Sequence, residues 1–325
     1  MNHAKSIPII DLSPLWDDSD RGLQIVAKRV FEVYSDIGFG YIINHNIPEN
    51  IISNGFKAAK TFHSLPLENK MRIKQNNYFR GYVPINSSQL KISTEGKATK
   101  PNQLDAFVMA FEVDKNHRDY KDGLYLAGDN QWLYGNPDFK EKMEAYRDHL
   151  LKLAHKLVAV FSIALGMPKD SLNEYFKEPT YFLRLQHYPA QPKVIPGDLF
   201  GIAPHTDYGF FTIIAQNSIP GLEVRSQDND WIDVPCIENS FVLNIGDMMK
   251  RWSNDIFTST PHRVVNKSGE ERFSIPFFFE PNMHANIDVL PSCITEKQPS
   301  KHASVMYGDY LMERIKGNYN IGKGS

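Results

Sequence analysis

The run Ala203-Pro204-His205-Thr206-Asp207-Tyr208-Gly209-Phe210-Phe211-Thr212 sets an imidazole and a carboxylate two residues apart. In a β-strand, residues i and i+2 point to the same face. His205 and Asp207 are therefore expected to aim at one point, about 6–7 Å apart along the strand. Two imidazoles and one carboxylate form a facial triad that holds iron(II) on one side and leaves positions open on the other. His262, in Ser259-Thr260-Pro261-His262-Arg263-Val264-Val265, is the candidate third ligand. The spacing by itself is weak: with 11 His and 38 acidic residues in 325, roughly one His-x-acid pair arises by chance. His117-Arg118-Asp119 is such a pair, and its polar surroundings from Asp114 to Gly123 read as a solvated loop. His205-Thr206-Asp207 differs because it leads into an apolar, strand-like run, Phe210 to Ala215, and His262 opens another, Arg263 to Val265. On these residues alone two readings stand: a metal centre, or a hydrogen-bonded polar pair at a strand end.

The elements that must position these residues change in character along the chain. Ile7 to Leu12 reads as a short strand, and Leu23, Ala27, Val30, Tyr34 and Ile37 recur at helical spacing. Gly38 and Gly40 end that helix, and Phe39 to Asn44 is a second strand. His45 after it reads as a partly buried structural histidine. A second helix runs from about Glu49 to Ser64 and stops near Pro66. Ser87 to Gln103 is polar and aperiodic and reads as a loop, either a lid or a plain surface excursion. A long helix covers about Pro137 to Leu165, with Phe139, Met143, Tyr146, Leu150, Leu153, Leu157 and Phe161 on its buried face. His149 and His155 on it have no partner at metal-site spacing and are read as structural or exposed. From Tyr181 short β-rich runs follow at Phe182–Tyr188, Phe210–Ala215, Leu222–Arg225, Trp231–Val234, Phe241–Ile245, Arg263–Asn266 and Phe273–Phe279. Short strands separated by turns suggest a sandwich or barrel, and a jelly roll fits best because its two sheets enclose a pocket.

Composition bounds the rest. A chain of 325 residues can bury a substantial core. Hydrophobic and charged contents of 42% and 23% fit a soluble globular protein. A net charge of −2 gives no electrostatic case for nucleic acid or an anionic membrane. Two cysteines, Cys236 and Cys293, without C-x-x-C spacing fit a reducing cytoplasm. The N-terminus lacks an apolar signal core, and the run Leu157 to Met167 is too short to span a bilayer.

Taken in order, these segments resemble the isopenicillin N synthase-like, iron(II)/2-oxoglutarate-dependent dioxygenases. The resemblance rests on Ile7 to Leu12, Gly38-Phe39-Gly40-Tyr41 to His45, Phe62 to Lys70, Arg80-Gly81-Tyr82, Leu183 to Pro189, His205-Thr206-Asp207, Gly221 to Val224, Asn244-Ile245-Gly246-Asp247, Pro261 to Val264 and Arg272-Phe273-Ser274. It covers nearly the whole chain and implies one domain over residues 1–325. That domain would have an N-terminal region over about 1–110 and a double-stranded β-helix (jelly-roll) core over about 178–285, mainly β with flanking helices. It implies iron(II) held by His205, Asp207 and His262, with 2-oxoglutarate and O2 as co-substrates. Arg272 and Ser274 form the family's R-x-S pair, aimed into the barrel from one strand face. Arg offers a planar fork to a carboxylate and Ser a short hydrogen bond, and Tyr188 and Gln186 are expected nearest the iron and the co-substrate. The implied reaction oxidises an unactivated C–H bond of a small molecule and releases succinate and CO2.

Substrate contacts are expected at Arg184, at Phe278, at Phe210 or Phe211, and at Arg80 and Tyr82, which would close the mouth. The two arginines suggest a carboxylate-bearing substrate. The remaining partner expectations are no nucleic acid, no membrane, and a monomer or weak homo-oligomer. Two alternatives remain. One is an oxidase of the isopenicillin N synthase type that does without 2-oxoglutarate; its C-terminal Gln is missing from the run Asn318 to Ser325. The other is a non-catalytic binding protein on the same barrel, against which the intact ligands and R-x-S pair argue. A zinc hydrolase lacks a candidate general base near His205 and Asp207.

Overall fold

A computed structural model describes residues 6–88, 100–191 and 199–318. The chain runs β1 (Ile9–Asp11), α1 (Asp20–Tyr34), β2 (Phe39–Ile43), α2 (Glu49–His63), α3 (Leu67–Met71), β3 (Gly81–Val83), β4 (Asp105–Ala110), α4 (Arg118–Asp122) and α5 (Pro137–Ala164). It continues through β5 (Thr180–Tyr188), β6 (Ile202–His205), β7 (Phe211–Gln216), β8 (Leu222–Arg225), β9 (Trp231–Asp233), β10 (Ser240–Ile245), α6 (Asp247–Trp252), β11 (His262–Val264), β12 (Arg272–Glu280), β13 (Asn286–Ile287), β14 (Val305–Met306) and α7 (Tyr307–Asn318). Among the described residues, no helix is long and apolar enough to cross a membrane.

The helices form where the apolar period and the caps coincide. The Ser19 hydroxyl accepts from the Gly22 amide at the start of α1, and Asn136 caps α5 by accepting from the Phe139 amide, with Pro137 in the first turn. Each cap satisfies a backbone donor that the first turn leaves open. The seven α5 positions expected to be buried are all buried. Gly38 ends the α1 segment at φ +68°, where an added Cβ would meet the Thr258 carbonyl oxygen at 1.9 Å; only glycine fits both demands.

The strands build two main sheets and a separate two-stranded pair, β13-β14. The larger has the order β1-β2-β10-β7-β12-β5-β4-β3, and the smaller β6-β11-β8-β9. Between them lies a cavity of about 270 Å³. Helices α1, α2 and α5 cover the outer face of the larger sheet, so the jelly roll with bracing helices is the observed architecture. Period-two alternation divides each central strand. On β12, Arg272, Ser274, Pro276, Phe278 and Glu280 face the cavity, and Phe273, Ile275, Phe277 and Phe279 belong to the aromatic core beneath the helices.

Two expectations change. His117 to Asp119 is not a solvated loop: His117 caps the short α4, and Asp119 is buried and bonded to His284 Nε2 at 2.7 Å. The polar neighbourhood conceals a local helix, because Asp119 finds its partner 165 residues away. Strands β3, β4, β6, β13 and β14 are additions to the strands expected from the sequence. β4 extends the larger sheet with residues that precede the long helix, so strands from both halves of the chain share one sheet. Most of the loop expected over Ser87 to Gln103, and the tail from residue 319, lie outside the described residues.

Candidate active site

Strands β6 and β11 pair with His262 directly opposite His205, which sets two imidazoles side by side with ring centroids 4.3 Å apart. Asp207 reaches them by a route that the strand argument does not foresee. β6 ends at His205, so Asp207 lies past the strand, in the connection to β7. Its carboxylate is aimed by hydrogen bonds instead of strand pitch. Oδ2 accepts from Thr212 Oγ1 at 2.6 Å and Asn244 Nδ2 at 2.7 Å. Oδ1 is left facing His205 Nε2 at 3.8 Å and His262 Nε2 at 3.7 Å.

The protonation pattern fits a ligand set. His205 Nδ1 lies 2.8 Å from the Ala203 carbonyl oxygen, and His262 Nδ1 lies 3.2 Å from that of Thr260. Carbonyls only accept, so each Nδ1 carries the hydrogen and each Nε2 turns a lone pair inward. Three lone-pair atoms thus converge, too far apart to hydrogen-bond to each other and close enough to share one cation. Burial, and then the neighbouring His262, hold His205 below its ordinary pKa of 6.5. Burial pushes the Asp207 carboxyl up, but the two imidazoles and the Thr212 and Asn244 bonds outweigh it and leave it low. A His205 held toward the neutral form beside an ionised Asp207, with His262 Nε2 facing the same point, is a donor set that suits iron(II).

A second polar group lies deeper in the cavity. Arg272 is 1% exposed. Its Nη2 donates to Gln216 Oε1 at 2.7 Å, its guanidinium covers the Tyr188 ring, and Nε and Nη1 have no hydrogen-bond partner among the described residues. Burial depresses its pKa, as expected for a cation without a counter-ion. Beside it, Gln186 Oε1 accepts from Tyr188 at 2.7 Å and Ser274 at 3.1 Å. These hydroxyls can rotate toward an incoming acceptor. A buried, under-bonded guanidinium flanked by two hydroxyls suits a carboxylate.

Arg184 and Phe278 also line the cavity, with the guanidinium stacked 5.2 Å over the ring. Three expected residues do not line it. Phe211 is on the other face of β7, where Thr212 and Ile214 take the cavity side, and packs against Phe161 and Phe279. Phe210, its alternative, is buried against Trp252 and Phe176. Arg80 is fully buried and donates to the carbonyls of Tyr78, Leu126 and Phe111; burial lowers it to about 10, which still leaves a cation at neutral pH. It clamps loop backbone and closes no mouth. Tyr82 is turned away too, donating to Asp105 at 3.0 Å.

Other contributors lie outside the expected set. Thr212 and Asn244 orient Asp207, and Gln216 holds Arg272. Asn244 lies in a segment that carries the family resemblance, and strand parity points to Thr212. Helix α7 places Leu311 and Ile315 in the cavity wall. Its Arg314 donates to Asp247 at 2.8 Å and stacks over Tyr208, while Asp247 also accepts from Thr206 and Ser259. No local pattern in the sequence announces that the last helix returns to the site.

The comparisons agree with this geometry. Residues 155–281 match the family described as the 2OG-Fe(II) oxygenase superfamily, and residues 7–134 match the non-haem dioxygenase in morphine synthesis N-terminal family. The chain is 33% identical over 319 residues to the 2-oxoglutarate-Fe(II) type oxidoreductase hxnY of Emericella nidulans, covering 96% of this chain and 90% of that one. It is 33% identical over 326 residues to the homoarginine-6-hydroxylase 2-ODD-C23.2 of Arabidopsis thaliana, covering 95% and 88%. The crystal structure of a full-length Neurospora crassa protein in complex with alpha-KG and thymine superposes with a TM-score of 0.83 at 26% identity, covering 97% and 98%.

Two outcomes follow from the geometry. His262→Ala should abolish stoichiometric iron(II) binding while leaving the circular dichroism spectrum intact, as metal analysis of the purified variant would show. Arg80→Met should leave iron binding unchanged but lower stability by about 3 kcal/mol or more, since three carbonyls lose a charged donor; denaturant unfolding measures it.

Proposed function

This chain belongs to the 2-oxoglutarate/iron(II) oxygenase superfamily, and from that premise we propose that its substrate is a small carboxylic acid anchored through Arg184. The protein is an oxidoreductase that uses iron(II), 2-oxoglutarate and O2 on a small molecule. When bound, iron(II) with 2-oxoglutarate and O2 supplies the oxidising chemistry, and 2-oxoglutarate leaves as succinate and CO2. The residues of this chain do the rest. His205, Asp207 and His262 hold the metal, and the Thr212 and Asn244 bonds keep the carboxylate from turning away. Arg272 pairs with the distal carboxylate of 2-oxoglutarate, with Ser274 and Tyr188 adding hydrogen bonds and Gln186 positioning both hydroxyls. The apolar wall, which includes Val108, Phe182, Phe278, Leu311 and Ile315, excludes water and orients the C–H bond to be oxidised.

The observation that carries the substrate reading is Arg184. It faces the cavity from β5, four residues from Tyr188, and no carboxylate among the described residues pairs with it. The acids of the lining are Asp207, committed to the metal, and Glu280, which burial raises well above its ordinary value toward the neutral form. A cation with no carboxylate partner among the described residues, in a largely apolar cavity, selects an anionic substrate group. Homoarginine, named for the Arabidopsis thaliana relative, carries such a carboxylate. The product is a hydroxylated, desaturated or cyclised acid.

Arg184→Ala should raise the substrate KM by roughly a hundredfold, since losing one side of a buried charged contact costs about 3 kcal/mol. A carboxylic-acid panel scored for succinate release and product mass tests this. If only the KM for 2-oxoglutarate rose, the roles of Arg184 and Arg272 would be exchanged. For the co-substrate, Arg272→Ala should weaken 2-oxoglutarate binding by roughly two to three orders of magnitude. Arg272→Lys should recover part of it, because a point charge replaces a planar fork. Anaerobic titration of the iron(II) protein, followed by its visible metal-to-ligand band, gives both values.

A further inference from the structure

A second set of two histidines and an aspartate lies outside the cavity. His63 closes α2, Asp105 opens β4, and His187 sits in β5 between Gln186 and Tyr188. One ligand-type atom from each lies within 4.8 Å of the others. The contacts are those of protons, not of a shared cation. Asp105 Oδ1 meets His187 Nδ1 at 2.7 Å, and Oδ2 meets His63 Nδ1 at 3.0 Å. The Tyr82 hydroxyl donates to the same Oδ2 at 3.0 Å, and the Lys70 ammonium stands 3.4 Å from it. An ion there would have to displace one donor and sit beside a fixed positive charge. The outer nitrogens are also used: His63 Nε2 lies 3.0 Å from the Leu185 carbonyl oxygen and His187 Nε2 lies 3.2 Å from Glu271. Asp105 thus gathers four polar partners from α2, α3, β3 and β5 at one buried point.

The place of that point gives it meaning. On β5, Arg184, Gln186 and Tyr188 face the cavity, so His187 lies on the reverse of the same strand. His187 is in register with Asp105 on one side and Phe273 on the other. The Phe273 ring stacks on His187 at 4.9 Å, with 25° between planes. Phe273 in turn lies between Arg272 and Ser274. The cluster therefore grips, from behind, the two strands that carry Gln186, Tyr188, Arg272 and Ser274.

We propose that the His63–Asp105–His187 network is a positioning device for the co-substrate subsite. It fixes the β5 pair against the β12 pair so that their donors converge on one carboxylate. The proposal rests on the reading of Arg272 and Ser274 as the 2-oxoglutarate anchor. Its residues touch no reacting atom, so the expected signature is selective: 2-oxoglutarate affinity falls while iron binding does not.

The test is anaerobic titration of 2-oxoglutarate into iron(II)-loaded wild type, Asp105→Asn and His187→Phe, by calorimetry and by the visible band. His187→Phe keeps a flat ring against Phe273 and removes both hydrogen bonds, so it decides the matter if Asp105→Asn fails to fold. Each variant should bind 2-oxoglutarate roughly tenfold more weakly, the scale on which outer hydrogen-bond partners tune a site, with one iron per chain retained. Tyr82→Phe, which removes one of four polar partners, should weaken it by less than about threefold. Affinity within twofold of wild type in folded, iron-loaded His187→Phe would overturn the proposal. A second iron per chain in wild type, lost in His187→Phe, would overturn it as well and make the cluster a metal site. If Arg272→Ala leaves 2-oxoglutarate affinity unchanged, the anchor reading fails first. If Arg272→Ala weakens binding and the cluster variants do not, only the positioning proposal falls.

Discussion

Two buried charges of opposite sign set the terms for this molecule. Asp207 and Arg272 both face one cavity between the sheets; Asp207 Oδ1 has only the two imidazoles near it, and Arg272 Nε and Nη1 have no hydrogen-bond partner among the described residues. A charge taken from water costs several kcal/mol unless its hydrogen bonds and counter-ion are restored. The protein restores part: Thr212 and Asn244 for the carboxylate, Gln216 and the Tyr188 ring for the guanidinium. The remainder falls to a cation at one position and an anion at the other. The free protein therefore carries an electrostatic deficit that the proposed iron at Asp207 and carboxylate at Arg272 would relieve, and the broad aromatic core beneath the larger sheet supplies the apolar burial that makes this deficit tolerable.

Alternation along the strands explains why both demands can be met by the same residues of chain. Each central strand of the larger sheet offers one face to the helices and one to the cavity, so its polar site residues alternate with residues that anchor the strand from behind. Arg272-Phe273-Ser274 and Gln186-His187-Tyr188 are two such triplets. The second departs from the first, because its backward-facing residue is a histidine. That departure is what draws in Asp105, His63 and Lys70, since a buried imidazole must find partners.

The fold is largely legible in the sequence because its signals are periodic. The α5 face, the β5 and β12 runs and the glycine stop at residue 38 all follow from spacing. The metal ligands are legible too, though for a partly mistaken reason: His205 and Asp207 converge because two hydrogen bonds aim the carboxylate past the strand end, not because they share a strand. Phe211 is off by one residue of parity, which on a strand means the opposite face. Arg80 and Tyr82 mislead because only tertiary contacts show that three carbonyls and Asp105 claim them. Contacts such as His284 with Asp119, or Arg314 with Asp247, span distances in the chain over which no local pattern extends.

The wall contributed by α7 has a consequence in time. The ligand set is complete at residue 262 and the R-x-S pair at residue 274, but Leu311 and Ile315 come well after both in the chain. As the chain leaves the ribosome, metal and anion sites are synthesised before the element that closes them in. A chain ending before residue 307 would hold every charged group of the site but lack Leu311 and Ile315 in its wall and the Arg314 contact with Asp247.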